Sequence, residues 1–273
     1  MFREMLENVR EKRPLIHNIT NYVTANDCAN MLLACGASPI MADDEQEAAD
    51  ITGICDGLTI NLGTLSSRKL RAMHLAGKRA NALSHPVILD PVGAGASGWR
   101  REAALGLLEE VKCAVIRGNA SEIKALALGS VGAAGVDADL ADGITQQNLE
   151  EMTAFAKAFA EKTGAVIAVT GAIDIVADSR TAYRIRNGHP MMSAVTGTGC
   201  QLSALTAAYV AANPDRPLEA AAAAVCAMGL AGEIAFGRLS GQDGNGTYRN
   251  YLIDAIYRMT PQTLEKGADY EVR

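Results

Sequence analysis

Residues 195–202 read Val-Thr-Gly-Thr-Gly-Cys-Gln-Leu, so two glycines one residue apart lead directly into a helical pattern. Apolar side chains recur at helical spacing from Leu202 to Tyr209, which is typical of an α-helix. The first turn of a helix has backbone N–H groups without partners, and the helix dipole favours negative charge there. The stretch therefore predicts an anion-binding helix start at Gly197 and Gly199.

Cys200 follows these glycines and is one of six cysteines in the chain. A positive helix end is expected to lower the pKa of its thiol. In the alternative interpretation, the glycines only form a tight turn and Cys200 is a small buried side chain. No two cysteines are spaced C-x-x-C, so neither zinc nor a disulfide bond is expected.

The composition and charge limit the class of protein. The chain has 273 residues, 49% of them hydrophobic, and no Pro-, Ser- or charge-rich linker, so residues 1–273 are predicted to form a single domain. A net charge of −6 and the lack of a basic run argue against nucleic acid as a partner. The alanine-rich uncharged run at residues 220–232 is shorter than the roughly 18 residues that a membrane span needs. The N-terminus has no signal-peptide core, so we expect a cytoplasmic protein with no membrane partner.

Strand-like and helical segments alternate from residue 14 to residue 171. Residues 174–177 and 181–186 then read as a hairpin, and helices dominate after Gly199. This order predicts an α/β fold with a mostly parallel central sheet, helices on both faces, and an antiparallel hairpin near residues 173–186 at one edge. The acidic run at residues 43–45 is expected in the first turn of a helix.

Polar residues follow the predicted strands, and in open α/β sheets ligands bind beyond the carboxyl ends of the strands. We therefore expect one rim that contains Asn18, Asn21, Met41, Asn61, Asp90, Arg117, Asn119 and Thr170. An arginine and a carboxylate beside glycine-rich N–H donors indicate a site for an anionic ligand with a metal ion.

Residues 93–98 match the dinucleotide fingerprint G-x-G-x-x-G between a predicted strand and a predicted helix. Arg117 at the end of the next strand would suit the extra phosphate of NADP. Pro91 opens this loop, however, and no acidic residue closes the next strand. An NADP-dependent oxidoreductase therefore stays as an alternative only.

Asn119-Ala-Ser-Glu122 has the spacing of a helix capping box, in which the side chains at both ends accept backbone N–H groups. In the functional alternative, Glu122 faces the rim and holds Mg²⁺ through water. Asp90, at the end of a strand, is a second candidate for the same ion.

Taken in this order, the segments resemble the hydroxyethylthiazole kinases, thiamine-salvage enzymes with a ribokinase-like fold. The resemblance spans the whole chain and is carried by residues 15–23, 38–42, 89–94, 117–122, 169–171 and 196–200. It implies ATP-dependent phosphorylation of the primary hydroxyl of 4-methyl-5-(2-hydroxyethyl)thiazole, with ADP as the second product.

The resemblance also implies roles for individual residues. ATP would be bound by Arg117, Thr170, Asn119 and Gly199, the thiazole by Met41, Gly197, Asn21 and Val23, and Mg²⁺ by Glu122 and Asp90. The family forms homotrimers with sites between subunits, so Asn21, Val23 and Met41 are expected to serve a neighbour's site.

The wider ribokinase-like group has an aspartate as general base where this chain, like the thiazole kinases, has Cys200. A thiol with an ordinary pKa is a poor base at neutral pH, so Cys200 either accepts the proton or only lines the site. Two further alternatives are an ATP- or ADP-dependent NAD(P)H-hydrate dehydratase, which keeps the aspartate, and a non-catalytic nucleotide sensor.

Overall fold

A computed structural model describes residues 1–129 and 143–273 of the chain. Within these ranges one nine-stranded sheet has the order β2-β1-β3-β4-β5-β6-β7-β8-β9. The strands are β1 (Leu15–Ile19), β2 (Ser38–Ile40), β3 (Gly57–Asn61), β4 (Val87–Asp90), β5 (Val115–Asn119), β6 (Val166–Thr170), β7 (Asp174–Ala177), β8 (Ala182–Ile185) and β9 (Tyr270–Val272). Strands β1 to β6 pair in parallel, and β6 to β9 pair antiparallel.

Helices cover both faces of this sheet. They are α1 (Phe2–Lys12), α2 (Ala25–Cys35), α3 (Ala48–Gly53), α4 (Ser67–Ala82), α5 (Gly98–Glu110), α6 (Ala120–Gly129), α7 (Leu149–Thr163), α8 (Thr198–Ala212), α9 (Pro217–Gly237), α10 (Asn245–Arg258) and α11 (Pro261–Gly267), with a 3₁₀ turn at Pro190–Ala194. One buried cluster joins the sheet to α1, α2, α8, α9 and α10, and a second joins the opposite face to α4, α5, α6 and α7. The predicted α/β fold is confirmed.

Alternation along the strands decides which side chains reach the site. Leu58 and Ile60 of β3 pack into the cluster beneath α4 and α5. Because successive strand residues point to opposite faces, Thr59 and Asn61 face α8 instead. The same alternation turns the polar residues at the ends of β4, β5 and β6 toward α8.

Helix α9 contains the alanine-rich uncharged run of residues 220–232. By length and composition it is the one helix in the described ranges that is apolar enough to cross a membrane, and 78% of its most apolar window is buried inside the protein. The side chains of Ala220–Ala224 have no exposed surface at all. This helix is therefore part of the core.

Two features of the fold differ from the expectations. The acidic run at residues 43–45 precedes α3 rather than entering its first turn, and its members pair with α4, as in the ion pair of 3.1 Å between Asp43 and Lys69. In addition, β9 pairs with β8 and extends the predicted hairpin to a three-stranded antiparallel edge. Both differences arise from contacts between segments that are distant in sequence.

Candidate active site

A continuous line of polar contacts crosses the carboxyl ends of four neighbouring strands. Asn61 Nδ2 donates to Asp90 Oδ2 over 2.8 Å. The same Asp90 oxygen lies 3.6 Å from Arg117 Nη1, and Arg117 Nη2 donates to Thr170 Oγ1 over 2.8 Å. The predicted rim residues Asp90, Arg117 and Thr170 therefore lie together on the face that α8 covers.

Helix α8 begins against this line. Gly197 is the N-cap residue of the helix and has a φ of +83°, a left-handed backbone conformation that favours glycine. It provides no side chain to cap the helix. A Cβ atom at Gly199 would lie 2.6 Å from Arg117 Nη1, so only glycine allows the guanidinium to approach this closely. Within the described part of the chain, the N–H groups of Thr198 and Gly199 have no acceptor. This arrangement can bind an anion.

Gly197 also makes a close approach on its other side. A Cβ atom there would collide with the methyl group of Thr24, the residue just before α2. The start of α8 is thus enclosed by Thr24 on one side and Arg117 on the other.

The thiol of Cys200 is half-buried, whereas the other five cysteines are buried. Its Sγ accepts hydrogen bonds from Asn21 Nδ2 over 3.2 Å and from Asn61 Nδ2 over 3.3 Å. Burial raises the pKa of the Cys200 thiol, and the nearby Asp90 carboxylate raises it further, against the lowering effect of the hydrogen bonds. The expectation of a lowered pKa is therefore wrong, because burial of the thiol and the negative charge of Asp90 outweigh the hydrogen bonds to Cys200.

Asp90 is completely buried. Its Oδ2 accepts from Asn61 Nδ2 and from Ser203 Oγ, each over 2.8 Å, while its Oδ1 has no partner in the described part of the chain. Burial raises the pKa of the Asp90 carboxyl, and the Arg117 guanidinium opposes that shift. Ser203 is a contact that the sequence analysis missed, although its position three residues after Cys200 puts both on one face of α8.

Glu122 and Asn119 form the predicted capping box at the start of α6. Asn119 Oδ1 accepts from the Glu122 N–H, and Glu122 Oε2 accepts from the Asn119 N–H, each over 2.9 Å. The other oxygen, Oε1, accepts from the N–H of Gly93 over 2.9 Å. The carboxylate of Glu122 therefore also fixes the loop that follows β4.

That loop contains the G-x-G-x-x-G segment, and several of its residues contact other parts of the protein. Gly93 donates to Glu122, Gly95 is so close to Ser121 that an added Cβ would lie 3.0 Å from its hydroxyl, and Ser97 caps α5 by accepting from the Arg100 N–H. The Gly93 N–H, which a dinucleotide site would use, is therefore already bonded within the protein.

A cavity of about 540 Å³ opens beside the start of α8. Its lining includes Arg117, Thr170, Thr198 and Gly199 at one end, and Asp174, His189, Met192, Leu202, Val225 and Met228 elsewhere. Burial raises the pKa of the Asp174 carboxyl to about 7, although the Gly171 N–H and Arg117 oppose the shift. A larger cavity of about 790 Å³ at the amino ends of β4 and β6 includes none of the predicted site residues. The cavity at Arg117 is therefore the better candidate for the ligand-binding site, because predicted site residues line it.

The predicted acceptor residues lie at the ends of β1 and β2. Asn21 is buried and contacts Cys200, but the side chains of Val23 and Met41 are exposed, by 55% and 39%. Neighbouring Tyr22 is 79% exposed. Within one chain, the structure thus brings Asn21 and Gly197 to Cys200 and leaves Val23 and Met41 facing outward.

The mostly parallel sheet with its antiparallel edge and helices on both faces defines the ribokinase-like fold. Solved structures with low sequence identity share this fold, among them a pyridoxal kinase from Staphylococcus aureus in complex with pyridoxal, with 18% identity and a TM-score of 0.61 over 95% of this chain and 97% of that chain.

The particular family follows from closer similarities. The model of the hydroxyethylthiazole kinase family matches residues 6–262. The chain is 62% identical over 271 residues to a hydroxyethylthiazole kinase of Clostridium acetobutylicum, covering 99% of each chain. It is 37% identical to the solved hydroxyethylthiazole kinase of Pyrococcus horikoshii, with a TM-score of 0.88 over 100% of this chain and 98% of that one. The chain belongs to the hydroxyethylthiazole kinase family.

Proposed function

We propose that the protein transfers the γ-phosphoryl group of ATP to the primary hydroxyl of 4-methyl-5-(2-hydroxyethyl)thiazole, forming the thiazole phosphate and ADP in thiamine salvage. The observation that carries this proposal is the contact of the Gly199 backbone with Arg117, whose guanidinium also meets Thr170 and Asp90. Free helix amides beside a buried guanidinium suit a transferring phosphoryl group. Membership in the family supports the choice of acceptor.

For the nucleotide, we assign Arg117, Thr170, Asn119 and Gly199 to binding of ATP. Three of them, Arg117, Thr170 and Gly199, line the cavity of about 540 Å³. Asn119 lies opposite Thr170 in the β5–β6 pairing, which puts it at the same end of the sheet. The triphosphate would extend along this end toward the N–H groups of α8.

For the acceptor, we assign Asn21, Val23, Met41 and Gly197 to the thiazole, with Cys200 beside the attacking hydroxyl. Because the pKa of the Cys200 thiol is raised, the thiol is protonated at neutral pH and does not serve as a resting thiolate base. We assign it instead to contacting and orienting the hydroxyl. Phosphoryl transfer depends mainly on positioning and charge stabilisation, so the proposed reaction does not require a thiolate base at Cys200.

We also propose Mg²⁺ as the cofactor, associated with Asp90 and Glu122. Asp90 Oδ1 is a buried oxygen without a partner in residues 1–129 and 143–273, and each oxygen of Glu122 accepts one backbone N–H, so lone pairs remain. No group of three or more His, Cys, Asp or Glu side chains suited to a metal occurs in those ranges. This donor set fits Mg²⁺, which keeps several waters and binds through one or two carboxylates plus phosphates. The ion would neutralise charge on the β- and γ-phosphates.

We further propose a homotrimer in the cytoplasm, with the site completed by a neighbouring subunit. The exposed apolar side chains of Tyr22 and Val23, next to the buried Asn21 in the chain, and of Met41, which follows β2, support this assembly. Light scattering coupled to size-exclusion chromatography tests it, and a monomer at micromolar concentration would contradict it.

The function is tested by measuring ADP release from ATP with and without the thiazole alcohol. We expect ADP only when the thiazole is present, and little with pyridoxal as the acceptor. The Arg117→Ala variant should lose this activity because it removes the guanidinium from the helix start. ADP release that ignores the thiazole, or no ADP at all with folded protein, would contradict the proposal.

A further inference from the structure

We propose that Asn61 is a positioning residue of this site, because its amide bonds both Cys200 and Asp90 and so fixes them relative to each other. This inference rests on the proposed function, because it assigns Cys200 to the attacking hydroxyl and connects Asp90 with the nucleotide end. Asn61 itself contacts neither substrate in this scheme and acts through its neighbours.

The amide of Asn61 uses its complete hydrogen-bonding capacity. Its Nδ2 donates to Asp90 Oδ2 over 2.8 Å and to Cys200 Sγ over 3.3 Å. Its Oδ1 accepts from Asn21 Nδ2 over 3.0 Å and from the N–H of Gly63 over 2.9 Å. A carboxamide offers two N–H donors and one oxygen with two lone pairs, so none is left over.

These four contacts join segments that are far apart in sequence. Asn61 ends β3, Asn21 precedes α2, Asp90 ends β4, and Cys200 lies in the first turn of α8. Asn61 is completely buried, so water does not compete for these bonds. Because the amide is planar, the directions of its two N–H groups fix where Sγ and the carboxylate oxygen lie.

The contacts also link the two ends of the site. Asp90 is paired with Arg117 at 3.6 Å, and Arg117 meets Gly199 and Thr170 at the nucleotide end. Asn21 Nδ2 donates to Cys200 Sγ as well, which closes a triangle of Asn21, Asn61 and the thiol. A shift of the Asn61 amide would therefore move the acceptor end and the nucleotide end apart.

The donor atom is what separates this role from a purely structural one. The oxygen of Asn61 supports the turn after β3 through the N–H of Gly63, whereas its nitrogen alone contacts Asp90 and Cys200. The variant Asn61→Asp keeps the shape and the oxygen but replaces the nitrogen with an oxygen. Because its carboxyl group also adds charge beside Asp90, the uncharged Asn61→Ser variant, which loses both N–H donors, is measured beside it, and both variants should slow alkylation of Cys200.

The test measures alkylation of Cys200 by iodoacetamide across a range of pH, read from the labelled peptide by mass spectrometry. The other five cysteines are buried, so labelling of the folded protein reports on Cys200. Loss of a hydrogen bond to the thiolate should slow alkylation at a given pH by about tenfold in Asn61→Asp. Asn213→Asp at the far end of α8 is the matched control, since Asn213 is also a buried amide and its nitrogen donates to the carbonyl oxygens of Met5 and Tyr209, away from the site. Its alkylation profile should match the parent protein.

A kinetic arm uses the same variant in two backgrounds. Asn61→Asp should lower kcat more than it raises KM for ATP, and the loss should be smaller when Cys200→Ala is already present, because coupled residues are not additive. If Asn61→Asp does not fold, Asn61→Ser takes its place, since serine is too short to reach both Cys200 and Asp90. An unchanged alkylation profile of Cys200, or equal losses of kcat in both backgrounds, would overturn the inference.

Failure of this inference is distinguishable from failure of the proposed function. Alkylation of Cys200 needs neither ATP nor a thiazole, so it tests the positioning by Asn61 even if the parent protein releases no ADP. A parent kinase whose Cys200 reacts identically with and without the Asn61 amide would refute the positioning role alone.

Discussion

Residues 93–98 and residues 197–200 both place closely spaced glycines directly before a helix, at the same end of the sheet. In the first segment, Glu122 accepts the Gly93 N–H and Ser97 caps α5 with its side chain. In the second, Gly197 caps α8 without a side chain, and the N–H groups that follow have no acceptor in the described part of the chain. We call the first segment closed, because the protein itself bonds the Gly93 N–H and caps α5 with a side chain, and the second open, because Thr198 and Gly199 keep free N–H groups beside Arg117 in the described part of the chain.

The difference shows what makes a glycine-rich helix start a site. Glycine spacing permits a close backbone approach, but the N–H groups bind a ligand only when the protein leaves them free. The residue that approaches each segment also differs, since Gly95 faces Ser121 whereas Gly199 faces the guanidinium of Arg117. The positive charge of Arg117 and the free N–H groups of Thr198 and Gly199 together indicate that residues 197–200 are the candidate phosphate site.

The largest effect is expected from adding one methyl group at a glycine, and doing so in each segment tests this comparison. In Gly199→Ala the new Cβ would displace the Arg117 guanidinium, which is held by Asp90 and Thr170, and kcat/KM should fall by about 10² to 10³. Gly98→Ala is the control, because an added Cβ there meets nothing within 4 Å. Steady-state ADP release from both folded variants gives the answer, and equal losses would break the comparison.

A second, smaller effect is expected at the open segment itself. Cys200→Ala should lower kcat about tenfold through a lost polar contact to the hydroxyl, with less change in KM for the thiazole. Cys226→Ala in α9 is the control for removal of a buried thiol. Unchanged turnover in Cys200→Ala would exclude Cys200 from the reaction. Partial recovery in Cys200→Ser would show that a polar group, rather than sulfur, is what matters.

At the closed segment, Glu122→Gln should act mainly on stability. The glutamine keeps one acceptor oxygen, so one of the bonds to Gly93 and Asn119 is lost, and Tm should fall by about 2–4 °C. If Glu122 also assists Mg²⁺ through water, the Mg²⁺ concentration for half-maximal activity should rise. The exposed Glu109→Gln variant on α5 is the control, and a Tm equal to that of the parent would argue against the bonding described for Glu122.

The smallest effect concerns pH at the cavity beside the open segment. Because the pKa of Asp174 is raised from its ordinary 3.8 to about 7, the folded protein binds this proton more tightly than the unfolded chain does. The contribution of Asp174 to the free energy of unfolding should therefore decrease as pH rises from 3.8 to about 7 and stay level above that. Denaturant unfolding across this window should show the decrease in the parent and lose that part of it in Asp174→Asn. Identical pH profiles would contradict the buried environment of Asp174.

The strand ends of the site were predictable, and the environment of the thiol was not. Asp90 and Thr170 each end a strand, Arg117 lies two residues before the end of β5, and parallel strands end at one edge, so their proximity follows from the alternating pattern. The raised pKa of Cys200 depends on burial and on Asp90, which lies far away in the sequence. Neither cause can be predicted from the local sequence pattern, which contains only the glycines and the helix start.

Packing between distant segments explains the remaining differences. The acidic residues 43–45 suit a helix start, but Arg68, Lys69 and Arg71 on α4 bind them in the loop before α3. Strand β9 spans only three residues, and its partner strand β8 lies far away in the sequence. Ser203 is the opposite case, because helical spacing alone relates it to Cys200.

The alanine-rich interior of α9 has a consequence for how the sequence can vary. From Ala220 to Ala224 every side chain is fully enclosed, on helix faces that point in all directions. Exchange of any of these alanines for valine adds volume to a closely packed interior, which costs about 1–3 kcal/mol. Saturation mutagenesis should therefore find two segments that tolerate few substitutions: the candidate active site, and this run of alanines, which lies away from that site.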